Sequence, residues 1–180
     1  RKEVLNMDDL LLFLKDNNKN VNDEELQRIA DNVRLVGADT DFATLHKVYK
    51  WMVNGVPAVD KDGRPTTVNL IDFACLDNPQ KENTNIFRVV NQFTVEYINN
   101  GAVKNRRPDV LLYVNGIPVC VIELKNPADV NATIEDAWEQ INIRYWRDIP
   151  GLLHYCPLAC IRAGVKTRLG TVRTPYEQFY

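Results

Sequence analysis

The sequence predicts an α/β domain, a mixed central β-sheet flanked by helices and preceded by a helical N-terminal segment. Apolar residues recur at helical spacing through the first 54 positions. Two apolar runs then flank Asn115-Gly116, the strongest short-range hairpin signal a chain can carry. A helix-period stretch at 134–146 and a last pair of strand-like runs complete the pattern.

The elements follow in order. Residues 7–16 carry Leu10, Leu11, Phe13 and Leu14 on a first helix. Asn22 or Asp23 can cap a second helix reaching about Leu35, with Glu24 and Glu25 in its favourable first turn. Thr40 or Asp41 can cap a third, bearing Phe42, Leu45, Val48, Tyr49 and Met52 and ended by Asn54-Gly55. Residues 61–65 read as a turn, and strands are expected at 67–74, 86–97, 109–114 and 119–125. Asp77-Asn78-Pro79 separates the first two, because Asn-Pro initiates turns. Val110, Leu112 and Val114 alternate with Leu111 and Tyr113, so both faces of the hairpin are apolar and it should be central in the sheet. Asn131 or Thr133 can cap the helix at 134–146, and strands at 154–162 and 165–172 surround Ala163-Gly164. Residues 1–60 are thus expected to form a helical segment packed on a core of 61–180, one structural domain overall.

Composition excludes several classes. A chain of 180 residues that is 45% hydrophobic can bury one substantial core. No apolar run approaches the roughly 20 residues needed to cross a membrane. Cys75, Cys120, Cys156 and Cys160 lack zinc-site spacing, and three of them sit in apolar strand-like runs, which reads as buried free thiols and fits a cytoplasmic protein. The missing initiator methionine suggests a piece of a longer polypeptide. Net charge is −2, against a strongly basic nucleic-acid binder. The cations are unevenly placed, however: 12 Lys and Arg face 16 Asp and Glu over residues 1–100, and 10 face 8 over 101–180. Arg106, Arg107, Arg144 and Lys166, with Lys104, Arg147, Arg162 and Arg168, could form a phosphate-facing rim.

The hairpin carries the chemistry. Its outer ends bear Asp109 on one strand and Glu123 and Lys125 on the other, where residues two apart share a face. Carboxylate oxygens suit Mg²⁺, which keeps several waters and shares substrate phosphate oxygens. A lysine beside them supplies a fixed positive charge next to an attacking water. Register arithmetic refines this. A two-residue Asn115-Gly116 loop would pair Val114 with Ile117 and set Asp109 opposite Ile122; a three-residue loop would set Asp109 opposite Glu123 and Arg107 opposite Lys125. A three-residue loop or a bulge is therefore expected, with Gly116 at positive φ.

These residues also carry a resemblance. Residues 91–95 (NQFTV), Arg106-Arg107-Pro108-Asp109, 114–118 (VNGIP), 121–128 (VIELKNPA) and 131–134 (NATI) resemble the N-terminal nuclease domain of the restriction subunit (HsdR) of type I restriction-modification enzymes. Leu70-Ile71-Asp72-Phe73 and the Phe42, His46 and 53–57 (VNGVP) pattern extend the likeness upstream. Asp136-Ala137, Gln140, Asp148-Ile149-Pro150 and Gly170-Thr171 extend it downstream. The resemblance implies a restriction-endonuclease-like PD-(D/E)xK fold and a Mg²⁺-dependent endonuclease acting on double-stranded DNA. Asp109 and Glu123, with the main-chain carbonyl of Leu124, would hold the metal, and Lys125 would orient the water. It also implies partner modification and specificity subunits, and an ATP-driven motor outside this stretch of chain. A stand-alone repair or resolvase nuclease of the same fold is the alternative within the class. A catalytically inactive subunit-docking domain is the alternative outside it, and the presence of all three motif residues argues against that.

Nucleases of this subgroup commonly carry a Gln-x-x-x-Tyr element on the following helix. Here Gln140 and Tyr145 are five apart, about 140° around a regular helix. Gln140 is expected near the site. Either Arg144 takes the second place, or a π-bulge absorbs the extra residue, or Tyr145 packs against the sheet with Ile141. His46 and His154 lack metal or triad spacing, and Asp72 and Glu96 read as structural before auxiliary acids. The stretch 164–170 lacks the phosphate-loop pattern, so no ATP site is expected within this chain.

Overall fold

Asn6 starts the first helix, its side chain accepting the Asp9 N–H from an extended backbone. In the computed structural model, residues 3–36, 42–78, 80–126 and 133–180 are described, without the side chains of Phe42, Thr44, Cys75 and Asp77. Helix α1 (Met7–Asn17) buries Leu10, Phe13 and Leu14. Helix α2 (Asp23–Val36) has three acids in its first turn and buries Leu26, Ile29, Ala30 and Val33, one stripe at 3.6-residue spacing. Helix α3 (Phe42–Asn54) buries Val48 and Met52. It stops at Gly55, whose φ of +77° ends the helix while its N–H bonds the Trp51 carbonyl. The suggested caps Thr40 and Asp41 lie outside the described residues, as do Pro79, Pro127, Ala128 and Asn131.

The strands need more correction than the helices. Strand β1 (Val56–Val59) pairs antiparallel with β2 (Pro65–Val68), and the turn between them was expected. Sequence reasoning missed β1 because Pro57 stands in it, a residue tolerated only where a strand edge is free. The strand expected at 67–74 ends at Val68. Asp72 instead accepts the Ala74 N–H at 2.9 Å, a local bond that turns the chain into the short helix α4 (Ala74–Asp77). The strand expected at 86–97 breaks at Gln92, whose φ is +50°, into β3 (Phe87–Asn91) and β4 (Val95–Asn99). β4 pairs with β5 (Ala102–Arg106), which was not anticipated because it is short and polar.

Strand β6 (Val110–Val114) and β7 (Ile117–Lys125) leave a loop of two residues, not three. Asn115 (φ +50°) and Gly116 (φ +77°) are both left-handed, the pairing whose twist matches the flanking strands. The positive φ at Gly116 was expected; the longer loop was not needed, because Asp109 lies one residue before β6 and escapes the facing rule.

The main sheet has the order β3-β6-β7-β8-β9, so the β6–β7 hairpin is internal as expected. β8 (Leu158–Ala163) runs parallel to β7, with Glu123 beside Ile161, and β9 (Lys166–Thr171) pairs antiparallel with β8. Between β7 and β8, Thr133 caps helix α5 (Ile134–Glu139) in a reciprocal capping box with Asp136. A π-helical segment (Gln140–Tyr145) continues it, followed by α6 (Trp146–Asp148) and α7 (Pro150–Leu153). The last strand pair starts later than expected, since residues 154 and 155 form a turn leaving α7 and 156 and 157 are irregular.

The chain divides into two compact units. One comprises Leu5–Arg88 and Val114–Ile117. Its α1 and α2 pack their apolar stripes together, the buried Asp9 is held by Arg88 and Asn6, and the fully buried Asn115 amide bonds Leu70 O, Asn85 Oδ1 and the Ile86 N–H. The other comprises Arg1–Val4, Val89–Tyr113 and Pro118–Tyr180. Leu111, Val121, Ala137, Ile141, Ala159 and Ile161 are all sealed within it. No helix among the described residues is long and apolar enough to cross a membrane.

Candidate active site

Parallel pairing of β7 with β8 forces the chain to cross over between them, and the crossover helix returns along the sheet past the end of β7. That places α5 and its π-helical continuation over Glu123 and Lys125. Glu123 is completely buried, yet its carboxylate is hydrogen-bonded on both oxygens. Tyr145 Oη donates to Oε1 at 2.6 Å and Gln140 Nε2 donates to Oε2 at 2.6 Å. Gln140 Nε2 also donates to Tyr145 Oη at 2.8 Å, and Lys125 Nζ donates to Gln140 Oε1 at 2.6 Å. The Asp109 N–H points at Glu123 Oε1 over a long 3.4 Å, while Asp109 Oδ2 accepts the Leu124 N–H at 2.8 Å. Asp109 Oδ1 takes no hydrogen bond from the described residues.

Burial pushes the Glu123 carboxyl up to about 8, and the nearby Asp109 charge adds to the rise; the Tyr145 hydroxyl opposes it. Burial also raises the Tyr145 phenol, which keeps it a donor. The chemistry available is thus two neighbouring acids, one buried and one half-exposed, with an ammonium fixed by an amide close by. Among the described residues no group of three or more His, Cys, Asp or Glu side chains could hold a metal.

The five-residue spacing of Gln140 and Tyr145 is resolved by the helix itself. In an i→i+5 turn, residues five apart stack above one another, so both side chains reach the same carboxylate. Arg144, the other candidate for the second place, is exposed and pairs with Glu139 at 3.6 Å. Tyr145 is also buried like Ile141, so packing and hydrogen bonding coincide. Two indoles bracket the segment. Trp138 Nε1 donates to Thr174 O at 2.9 Å and Trp146 Nε1 donates to Val172 O at 2.6 Å, tying both ends to the turn after β9. Arg173 lies over the Trp146 ring, 3.6 Å from its centre.

The basic residues separate. Arg107 and Lys166 are exposed. Arg106 is half-buried, bonding Asp148 Oδ2 at 2.7 Å and lying 5.6 Å from the centre of the Tyr97 ring. Asp148 is buried between Arg106 and Arg147, and the Arg147 hydrogen bond, then Arg106, hold its carboxyl down at about 2. Sequence reasoning assigned no role to Asp148, although an acid 42 positions from its partner leaves no local signal. Asp72 serves the turn at α4, Glu96 and His46 are exposed, and His154 is buried beside Trp146. Cys120 and Cys156 are buried thiols and Cys160 is partly covered.

The family model for the type I restriction enzyme R protein N terminus matches residues 4–178. The chain belongs to that family. Its mixed sheet with flanking helices is the restriction-endonuclease-like arrangement. This R-protein N-terminal domain is 35% identical over 145 residues to the endonuclease subunit of the type I restriction enzyme MjaIXP of Methanocaldococcus jannaschii. That match covers 78% of this chain and 13% of the relative. It is 33% identical over 112 residues to the type I restriction enzyme HindI endonuclease subunit of Haemophilus influenzae, covering 62% of this chain and 10% of the relative. The chain therefore spans a small fraction of the curated relatives it matches.

For this R-protein domain the hydrogen-bonded ring makes a direct prediction. Tyr145→Phe keeps the packed ring but leaves Glu123 Oε1 and Gln140 Nε2 each short of a partner. The folded domain is expected to lose about 1–3 kcal/mol of stability, the cost of leaving buried polar groups short of a partner. Urea unfolding checks it, and an unchanged midpoint would mean that the phenol contributes packing alone.

Proposed function

We propose that this domain is the Mg²⁺-dependent endonuclease module of a cytoplasmic type I restriction enzyme, hydrolysing phosphodiester bonds of double-stranded DNA. The observation that carries the reading is the meeting of Asp109, Glu123 and Lys125 at one point, with Gln140 and Tyr145 fixing the acid and the ammonium. The relatives are named as type I restriction enzyme endonuclease subunits, which supports modification and specificity subunits as partners. An ATP-driven motor would lie outside this chain.

The residues fit a hard divalent cation. Mg²⁺ is commonly held by one or two carboxylates and keeps several waters. Asp109 Oδ1 is open among the described residues, and a buried acid raised to about 8 is one that an adjacent cation would return to its charged form. Leu124 presents its N–H to Asp109, and the N–H and C=O of one strand residue share an edge, so the Leu124 carbonyl supports the third position. When bound, the ion supplies Lewis-acid polarisation of the scissile phosphate and a lowered pKa for water. Lys125, steered by Gln140, donates to the attacking water and offsets negative charge as the new P–O bond forms and the leaving oxygen departs. Gln140 orients both groups at once, because its oxygen accepts from Lys125 while its nitrogen donates to Glu123.

The experiment uses the assembled enzyme with supercoiled DNA. Chelation of divalent cations is expected to stop cleavage and added Mg²⁺ to restore it. Lys125→Ala is expected to lower cleavage on the order of a hundredfold or more, about 3 kcal/mol of transition-state stabilisation. ATP hydrolysis should remain largely intact. Cleavage that persists at full rate in chelator, or in Lys125→Ala, would overturn the assignment.

A further inference from the structure

We propose that the β4–β5 ribbon is a DNA-gripping arm that seats Ile98 and Val103 in the major groove beside the phosphate to be cut. The proposal rests on the nuclease reading and adds the surface that would hold the substrate. Ile98 and Val103 are direct cross-strand partners, yet they are 76% and 70% exposed. A two-stranded hairpin is marginal by itself in water, and two uncovered β-branched side chains on one face call for a partner. The Asn100-Gly101 turn is open: apart from its chain neighbours, no atom of the described residues lies within 4 Å of where a Gly101 Cβ would sit.

Several observations point to DNA as the occupant. Strand alternation puts Glu96 and Asn105 on the same face as Ile98 and Val103. An amide and apolar methyl groups are side chains that meet base edges: Asn bonds adenine and apolar groups touch the thymine methyl. Over residues 96–107, Lys104, Arg106 and Arg107 stand against Glu96 alone, in a chain whose net charge is −2. Lys104, on the opposite face of the ribbon, and Arg107 are exposed and pair with no acid among the described residues, so they can meet the phosphates flanking the groove. Geometry agrees in scale, since a two-stranded ribbon fits a major groove about 12 Å wide. Five residues per strand extend roughly 17 Å. The base is anchored, because Arg106 is tied to Asp148 and stacked on Tyr97, and three residues later the chain reaches Asp109. A duplex gripped by the ribbon is thereby presented to the carboxylates.

The test places a photo-crosslinking p-benzoylphenylalanine at Val103 in the full-length subunit, assembled with its partners on a defined duplex. Irradiation is expected to give a covalent adduct to DNA; adducts to protein subunits alone, or none, would overturn the proposal. In parallel, an Ile98→Ser/Val103→Ser double variant is expected to raise KM for DNA about tenfold while kcat changes less than about twofold. An unchanged KM counts against the arm. Glu123→Ala added to the crosslinking protein separates the two readings. Adducts without cleavage support both, whereas cleavage by Glu123→Ala defeats the nuclease assignment whatever the ribbon touches.

Discussion

On the proposed nuclease reading, Glu123→Ala is expected to abolish DNA cleavage while the domain stays folded. The loss should be on the order of a thousandfold or more, since the variant removes one of two acids and also the anchor of Gln140 and Tyr145. Asp109→Ala should match it, and a folded Glu123→Ala protein cutting near the wild-type rate would sink the metal assignment. A second measurement follows from burial. The Glu123 carboxyl is raised from 4.5 in the ordinary case to about 8 in the folded chain. Between those values the folded state keeps a proton that the unfolded state has lost, so stability falls as pH rises through that window and is flat above it. Measured without divalent cations by urea unfolding, Glu123→Gln should lack this decline. Parallel curves for the two proteins would show that the acid is not perturbed as described.

Gly116→Ala is the largest expected effect on folding. A Cβ there would collide with the Asn6 carbonyl oxygen and sit 2.9 Å from the Leu10 nitrogen, both main-chain atoms that cannot swing aside. The residue also holds φ at +77°, and its carbonyl accepts the Asn6 N–H at 2.8 Å. The clash and the left-handed strain together should cost on the order of 3–5 kcal/mol. Gly63→Ala is the control: its φ is +80° but nothing lies within 4 Å of the added methyl. It should cost only the strain, about 1–2 kcal/mol. Urea midpoints decide, and equal losses at the two positions would refute the close-approach argument.

What the sequence disclosed was local in origin. Helices α1 to α3 were legible because Leu10, Phe13 and Leu14, or Leu26, Ile29 and Val33, repeat with the helical period. The Asn115-Gly116 turn was legible because its conformation demands those residues. The triad Asp109, Glu123 and Lys125 was legible as a spacing, but the register argument erred by treating Asp109 as a ladder member. Its side chain instead reaches across to the Leu124 amide. Strand β1 hid behind Pro57, and β5 behind its polar residues. Asp148 with Arg106, and Asn115 with Leu70 and Asn85, are pairings between distant positions, which no local pattern announces.

The π-turn between Gln140 and Tyr145 bears on how such enzymes are found. A helix that absorbs one surplus residue without moving its ends separates the number of residues between two functional groups from the distance between them. Pattern searches that require a fixed Gln-to-Tyr interval will pass over chains like this one, although the same two groups converge on the same carboxylate. Deleting the exposed Ile143 would convert the spacing to the commoner interval, and the fold has the means to keep the geometry: the indoles on either side are fastened to a neighbouring turn. The number of residues between Gln140 and Tyr145 is thus a poor guide to whether their side chains meet on Glu123.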